Sequence, residues 1–194
     1  MFSDLITSKS RVKLLNVFLE NPSEMYHVRE LVRRTGDEIN AVRRELLFLE
    51  NKGVLSKEPR SNRVYYSLSK NYSFYFDLLR LSAKTVGLGR DILKNRAKIG
   101  KIKYAMFSGR FARRLGKEGN QVDVLIVGMV VLPELALIIR NEEKRLNTEI
   151  NYTVMSEEEF AFRKKKRDPF ILSILNGSRT MILGDEESML ALKT

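Results

Sequence analysis

Asn40, Arg43 and Arg44 sit within one short stretch whose apolar residues have helical spacing. Their types suit the reading of base edges: an arginine fork holds guanine with two hydrogen bonds, and an asparagine amide does the same with adenine. Each good contact of this kind discriminates between bases by about 1–3 kcal/mol. Downstream, Arg60, Asn62 and Arg63 lie in the polar run Pro59-Arg60-Ser61-Asn62-Arg63, where cations would meet phosphate or the minor groove of a duplex. The plainer reading of Arg43 and Arg44 is a solvated helix face beside Glu45. Other chemistries lack material. Cysteine is absent and the one histidine is His27, so a disulfide framework and a thiolate zinc site are excluded, and a Ser-His-Asp centre nearly so. His27 opens a helical stretch and reads as a packing or capping residue.

The elements that would carry these residues follow from apolar periodicity. Val12, Leu14, Leu15, Phe18 and Leu19 mark one buried helix face. Asn21-Pro22 ends that helix, because proline drives the preceding residue out of the helical region. Val28, Leu31 and Val32 mark a short second helix, closed by Gly36 where a turn needs positive φ. Asp37 can cap a third helix that runs to about Lys52 with Ile39, Val42, Leu46, Leu47 and Leu49 facing inward. Strand-like runs over 54–58 and 64–68 flank the polar turn and predict a β-hairpin. Helix, short helix, turn, helix, hairpin is the winged helix-turn-helix order. The stretch 10–68 resembles the winged-helix domains of ArsR/MarR-type bacterial and archaeal regulators, above all in Asp37-Glu38-Ile39-Asn40-Ala41-Val42-Arg43-Arg44-Glu45-Leu46 and Leu49-Glu50-Asn51-Lys52-Gly53-Val54-Leu55. The resemblance covers about a third of the chain. It implies a recognition helix in the major groove of double-stranded DNA, with Glu38, Asn40, Arg43 and Arg44 at its exposed N-terminal end and Arg60 and Arg63 on the wing.

Residues 72–81 are dense in large apolar groups, and the helical pattern continues through Val86 and Ile92 to about Arg96, interrupted at Gly87 and Gly89. An apolar surplus on a connecting helix packs on a neighbour or on a second subunit. Two readings stand. One is a homodimer formed through this helix, the two-fold arrangement that suits symmetric operators. The other is closure of the first domain's core by Phe74, Phe76 and Leu79.

From about residue 99 the pattern predicts α/β layers: a strand over 102–107, a short helix over 110–115, a loop over 116–120 and a strand over 121–128. A helix over 133–146 follows, with Pro133 in its first turn. Then come a strand over 149–154, helices over 157–163 and 169–175, a strand over 181–184 and a short helix within 186–194. Gly109-Arg110-Phe111-Ala112-Arg113-Arg114 and Gln121-Val122-Asp123-Val124-Leu125-Ile126-Val127-Gly128 resemble the minimal nucleotidyltransferase domain, over roughly 99–184. That family carries glycine and serine at a strand end and Asp-x-Asp on the next strand, and here Asp123 follows Gly109 by fourteen positions. Strand residues i and i+2 share a face, so Asp-x-Asp aims two carboxylates at the metal ions that bridge a triphosphate.

This chain departs from that pattern. Gln121 takes the first place and Asp123 alone keeps the charge. The family's third carboxylate is matched by Glu149 or Asn151, depending on a one-residue register, and the family serine is matched by Arg110. With these losses the resemblance implies a domain that no longer transfers nucleotides. It would bind a nucleotide or another small anionic effector through Ser108, Gly109, Arg110, Arg113 and Arg114, or serve contacts alone. The alternative is an active nucleotidyltransferase targeted by the winged helix, with Asp123 and Glu149 as catalytic carboxylates and Mg²⁺ and a nucleotide as cofactors.

Composition frames the whole. The chain has 194 residues, 43% hydrophobic and 30% charged, which excludes wholesale disorder. Lys and Arg number 35 against 24 Asp and Glu, a net charge of +11 with pI ≈ 9.9, the electrostatic footprint of a polyanion binder. The run Arg163-Lys164-Lys165-Lys166-Arg167 tracks phosphates or forms a solvated loop. No apolar run reaches the roughly 18 residues of a membrane span, and Met1-Phe2-Ser3-Asp4 lacks an export signature, so the expectation is cytoplasmic with no membrane partner. The expected fold class is α+β. A winged helix-turn-helix spans 1–70, a helical linker or dimerisation helix spans 71–98, and a nucleotidyltransferase-like α/β domain with a small mixed sheet spans 99–194. The expected function is a DNA-binding transcriptional regulator that reads duplex DNA as a homodimer without a cofactor.

Overall fold

The structure, a computed structural model, describes residues 6–115, 119 and 121–191. The expected loop over 116–120 lies outside these apart from Gly119, as do residues 1–5 and 192–194. The chain divides into two compact units, Met1–Thr85 and Val86–Thr194.

In the first unit, helix α1 (Lys9–Glu20) starts at Ser8, whose hydroxyl accepts from the Arg11 N–H at 3.3 Å. Leu14, Leu15, Phe18 and Leu19 form its buried stripe. A short strand β1 (Met25–His27) leads into α2 (Val28–Thr35). His27 caps α2, its Nδ1 accepting from Glu30 N–H at 3.3 Å, and its ring lies edge-on to Tyr65. Gly36 ends α2 at φ 67, and its N–H donates to the Val32 carbonyl. Helix α3 (Ile39–Asn51) follows, then strands β2 (Leu55–Arg60) and β3 (Arg63–Leu68). The three strands form an antiparallel sheet in the order β1-β3-β2. Three helices with this hairpin make a winged helix-turn-helix, as the sequence predicts.

Three local expectations are corrected. Leu47 does not face inward; it is 54% exposed. Asp37 does not cap α3, because Lys13 Nζ engages its carboxylate at 2.5 Å. Glu38 caps instead, its carboxylate accepting from the N–H groups of Asn40 and Ala41 at 3.1 and 3.3 Å. The hairpin turn is two residues, Ser61 and Asn62, rather than five, with Ser61 at φ 49. Pro59 lies within β2, which is an edge strand and so tolerates a residue without an N–H.

Helix α4 (Tyr75–Thr85) belongs to the first unit. Tyr75 and Leu79 join its core, and the Ser82 hydroxyl donates to the Leu19 carbonyl at 3.3 Å. Phe74 and Phe76 do not close that core; they are 60% and 55% exposed.

The second unit begins with α5 (Gly87–Lys94) and α6 (Arg96–Ile99), so the stretch 71–98 is divided between the units. Gly87, at φ 57, starts α5 against a buried ion cluster: an added Cβ would meet Glu142 Oε1 at 2.7 Å and Arg145 at 2.9 Å. Then come β4 (Gly100–Ser108), α7 (Gly109–Ala112), β5 (Val124–Val130), α8 (Leu132–Leu146) and β6 (Tyr152–Met155). Helices α9 (Glu157–Lys165) and α10 (Pro169–Asn176), strand β7 (Arg179–Leu183) and α11 (Glu186–Leu190) complete it. The sheet order is β6-β5-β4-β7, with β4 antiparallel to β5 and β7 and β6 parallel to β5. Tyr104, Met106, Leu125 and Val127 share one face with Phe160, Ile171, Ile174 and Met189 from α9, α10 and α11. By alternation Ala105, Phe107, Val124 and Ile126 occupy the other face, and all four are buried. The small mixed sheet matches the expectation, although Gln121, Val122 and Asp123 precede β5 instead of lying in it. Among the described residues no helix is long and apolar enough to cross a membrane.

Candidate nucleic-acid interface

Helix α3 has two chemically distinct faces. Val42, Glu45, Leu46 and Leu49 are buried. Asn40, Arg43 and Arg44 are exposed at i, i+3 and i+4 spacing, so all three project from one face, which Leu47 extends by another turn. The exposed face therefore carries two guanidinium groups and one amide near the helix N-terminus.

Two polar contacts fix this helix to α1. Glu45 accepts from the Ser8 hydroxyl and from Arg11 Nε, each at 2.8 Å. Burial pushes the Glu45 carboxyl up, but the Ser8 and Arg11 hydrogen bonds and the nearby guanidinium charges outweigh it and hold the group below the usual glutamate range. Arg11 also stacks over the Phe48 ring, 3.6 Å from its centroid. At the turn before α3, Lys13 Nζ bridges the Thr35 carbonyl at 3.0 Å and Asp37 Oδ1 at 2.5 Å. The Lys13 hydrogen bond holds the Asp37 carboxyl below its ordinary value. Sequence reasoning missed Glu45 and Lys13 as positioning residues. The signal was present for Glu45, which is three residues beyond the inward Val42 and so falls on the buried arc.

The wing presents Arg60, Asn62 and Arg63 to solvent. Arg60 and Arg63 face each other as the last pair of the hairpin. Like charges paired across a hairpin repel, and Glu58 offsets this by accepting from Arg60 Nε at 2.7 Å. Arg60 also lies 5.6 Å from the Tyr65 ring centroid. The guanidinium groups thus sit at the hairpin tip, where a phosphate backbone can reach them.

The second unit brings Ser108, Gly109 and Asp123 to one end of β4 and β5. Asp123 is flanked by amides. Its main chain pairs with Asn151, and its Oδ2 accepts from the Asn151 N–H at 2.9 Å. The Asn151 side-chain amide donates to the Gln121 carbonyl at 3.2 Å. The register therefore sets Asn151 beside Asp123, while Glu149 lies in the exposed loop before β6. A magnesium–nucleotide site relies on convergent carboxylates. Asp123, its Oδ2 engaged by the Asn151 N–H and with the neutral Asn151 beside it where the family has a carboxylate, does not supply that convergence. Among the described residues no group of three or more His, Asp or Glu side chains is placed to hold a metal.

The anion positions are also occupied by the chain itself. The Gly109 N–H donates to the Ser178 carbonyl at 2.6 Å, and an added Cβ at Gly109 would stand 2.0 Å from Ser178 Oγ. Ser108 Oγ caps α7 by accepting from Phe111 N–H. Arg113 donates to the Gly109 carbonyl at 2.8 Å and to Ser178 Oγ at 3.3 Å. Arg114 pairs with the buried Glu142 at 3.3 Å, and Arg110 is half-buried on α7. Burial pushes the Glu142 carboxyl up, and Arg145 and Arg114 together bring it below the usual range. Ser178 was not visible as a partner of Gly109, because the contact joins segments far apart in the chain.

The basic run 163–167 is not one exposed stripe. Arg163 pairs with Glu159 at 2.9 Å and Asp168 at 3.3 Å, and Lys164 is buried. Lys165, Lys166 and Arg167 are exposed.

The first unit defines the class: a winged helix-turn-helix fold with a polar, cationic exposed face on α3. No family model and no curated protein matches the chain. Two solved structures are similar to it. HlyU of Vibrio cholerae, in its reduced form, is 23% identical over 41% of this chain and 83% of that chain, with a TM-score of 0.32. Rv0081 of M. tuberculosis is 24% identical over 50% of this chain and 89% of that chain, with a TM-score of 0.36.

Proposed function

We propose that this protein is a transcriptional regulator that binds duplex DNA sequence-specifically, with α3 in the major groove and the β2–β3 wing on the flanking backbone. The observation that carries the reading is the exposed row of Asn40, Arg43 and Arg44 on α3, backed by a face fully occupied with packing. A helix of this kind enters the major groove and contacts base edges from its N-terminal turns. Arg60 and Arg63 supply backbone charge, and the net charge of +11 supplies long-range attraction to a polyanion.

The protein acts as a homodimer in this reading, using the segment that exposes Phe74 and Phe76. The second unit serves as a sensor or assembly module and not as a transferase. Its support is the pairing of Asp123 with Asn151 and the closed contact of Gly109 with Ser178. Selection from a randomised duplex pool tests the function. A recovered palindrome with half-sites about one helical turn apart is the expected outcome, and recovery of unenriched sequence contradicts it.

A further inference from the structure

The second unit holds a cavity of about 570 Å³ beside the middle of β5. Val127 lines it, four residues along the strand from Asp123 and so about 13 Å away at the strand rise. Its size is that of a small-molecule site. The floor is aromatic: Tyr104 and Phe160 are buried with ring centroids 6.1 Å apart, and the Tyr104 hydroxyl bonds Ser188 Oγ at 3.0 Å.

Lys164 is the unusual wall residue. It is 9% exposed, yet its ammonium meets no carboxylate among the described residues. Nζ donates to the carbonyls of Met189 and Ala191, each at 2.6 Å, and lies 5.4 Å from the Phe160 ring centroid. These contacts orient the ammonium but carry no full negative charge to balance it. Burial pushes its pKa down accordingly. A buried charge without a counter-ion is costly, and a cavity beside it gives an outside anion room to balance it. The rim adds Lys165 and Arg167. Glu157 and Glu158 lie on the rim as well, with Glu157 neutralised by Lys103 at 2.5 Å. With Glu157 paired to Lys103, Glu158 is the rim carboxylate that remains, and the aromatic floor gives a polar triphosphate chain no partner. The lining favours a singly charged acid with a flat apolar body.

We infer that this cavity is a binding site for a small aromatic carboxylate, its ring on Tyr104 and Phe160 and its carboxylate on Lys164. The site lies within the second unit and none of its lining residues is Ser108, Gly109, Asp123 or Asn151.

Calorimetric titration of the full chain with 2-naphthoate, and with the uncharged 2-naphthamide, tests this without DNA. The expected result is one naphthoate per chain, bound at least about tenfold more tightly than the amide, since charge-assisted bonds are the stronger ones. Lys164→Met should bring the two ligands to the same weak affinity. Ala161→Trp, at an exposed lining position, should weaken both by filling the cavity. Circular dichroism of each variant shows whether it folds, and the comparison of acid with amide on the unaltered protein needs no variant. Equal affinity for the two ligands, no binding up to millimolar naphthoate, or unchanged naphthoate binding by folded Lys164→Met would each overturn the inference.

Discussion

Arg11 of α1 donates from Nε to Glu45 of α3 at 2.8 Å, joining α1 to the buried face of α3. The Glu45 side chain is 7% exposed, and the residue before it, Arg44, points to solvent. The contact sets the azimuth of α3: the buried acid turns inward and thereby turns Asn40, Arg43 and Arg44 outward. Glu45→Gln should cost about 1–3 kcal/mol, the range for losing a charged hydrogen bond in a buried place. Chemical denaturation of the first unit's signals would measure it.

The same group gives a pH dependence. Its pKa in the folded protein lies below the ordinary glutamate value of 4.5. The unfolded chain therefore binds the proton first, and the stability that Glu45 contributes is complete above that value. It is lost as pH falls through the folded pKa. Glu142 and Asp37 are also depressed and act in the same direction. Stability should fall on acidification below roughly pH 5, and Glu45→Gln should flatten that fall. An unchanged acid limb in the variant would show that Glu45 carries no such linkage.

At the recognition face, Arg43→Ala and Arg44→Ala should each weaken binding to the selected duplex by about 1–3 kcal/mol and relax preference at one base step. Asn40→Ala should act the same way at an adenine. All three positions are exposed, so thermal stability should barely move. Anisotropy titrations against single-base variants of the duplex would show the relaxed position.

On the wing, Arg60→Ala and Arg63→Ala should weaken binding to every sequence and reduce the salt slope by about 1 each. The Arg60 effect should be the smaller, because Glu58 already engages that guanidinium. A change in base preference without a change in slope would place the wing away from the backbone.

In the second unit, Gly109→Ala forces a Cβ to within 2.0 Å of Ser178 Oγ and 2.8 Å of Ser178 Cβ. Overpacking of this sort costs about 1–3 kcal/mol. Ser178→Gly in the same chain should recover part of the loss, since Oγ and Cβ then disappear while the Ser178 carbonyl oxygen, 3.0 Å from the added Cβ, remains. Thermal unfolding of the single and double variants reads the coupling.

Much of the architecture was legible because it rests on local signals. Apolar spacing gave α1 to α3, Gly36 gave the turn, and alternation gave β4 and β5. The same periodicity, read more strictly, places Glu45 on the inward arc of α3 and Lys164 one turn beyond the buried Phe160. Those charges escaped notice because charge alone suggests a solvated residue. What stayed hidden depends on long-range pairing. Lys13 takes Asp37 from its expected capping role, and a parallel register chooses Asn151 over Glu149. Ser178 fills the space above Gly109 from a segment nearly seventy positions away in the chain. The stretch 71–98 divides between Thr85 and Val86, and the close approach of the neighbouring Gly87 to Glu142 is likewise a long-range contact.

The central claim is that α3 reads sequence. Its most direct test is the affinity of the intact protein for its selected duplex against a scrambled duplex of equal length, at several salt concentrations. The account predicts a preference of about 10³ or more that persists as salt rises. Affinities for both duplexes should fall with a common steep slope set by phosphate contacts. Equal affinity for the two duplexes at every salt concentration would contradict it.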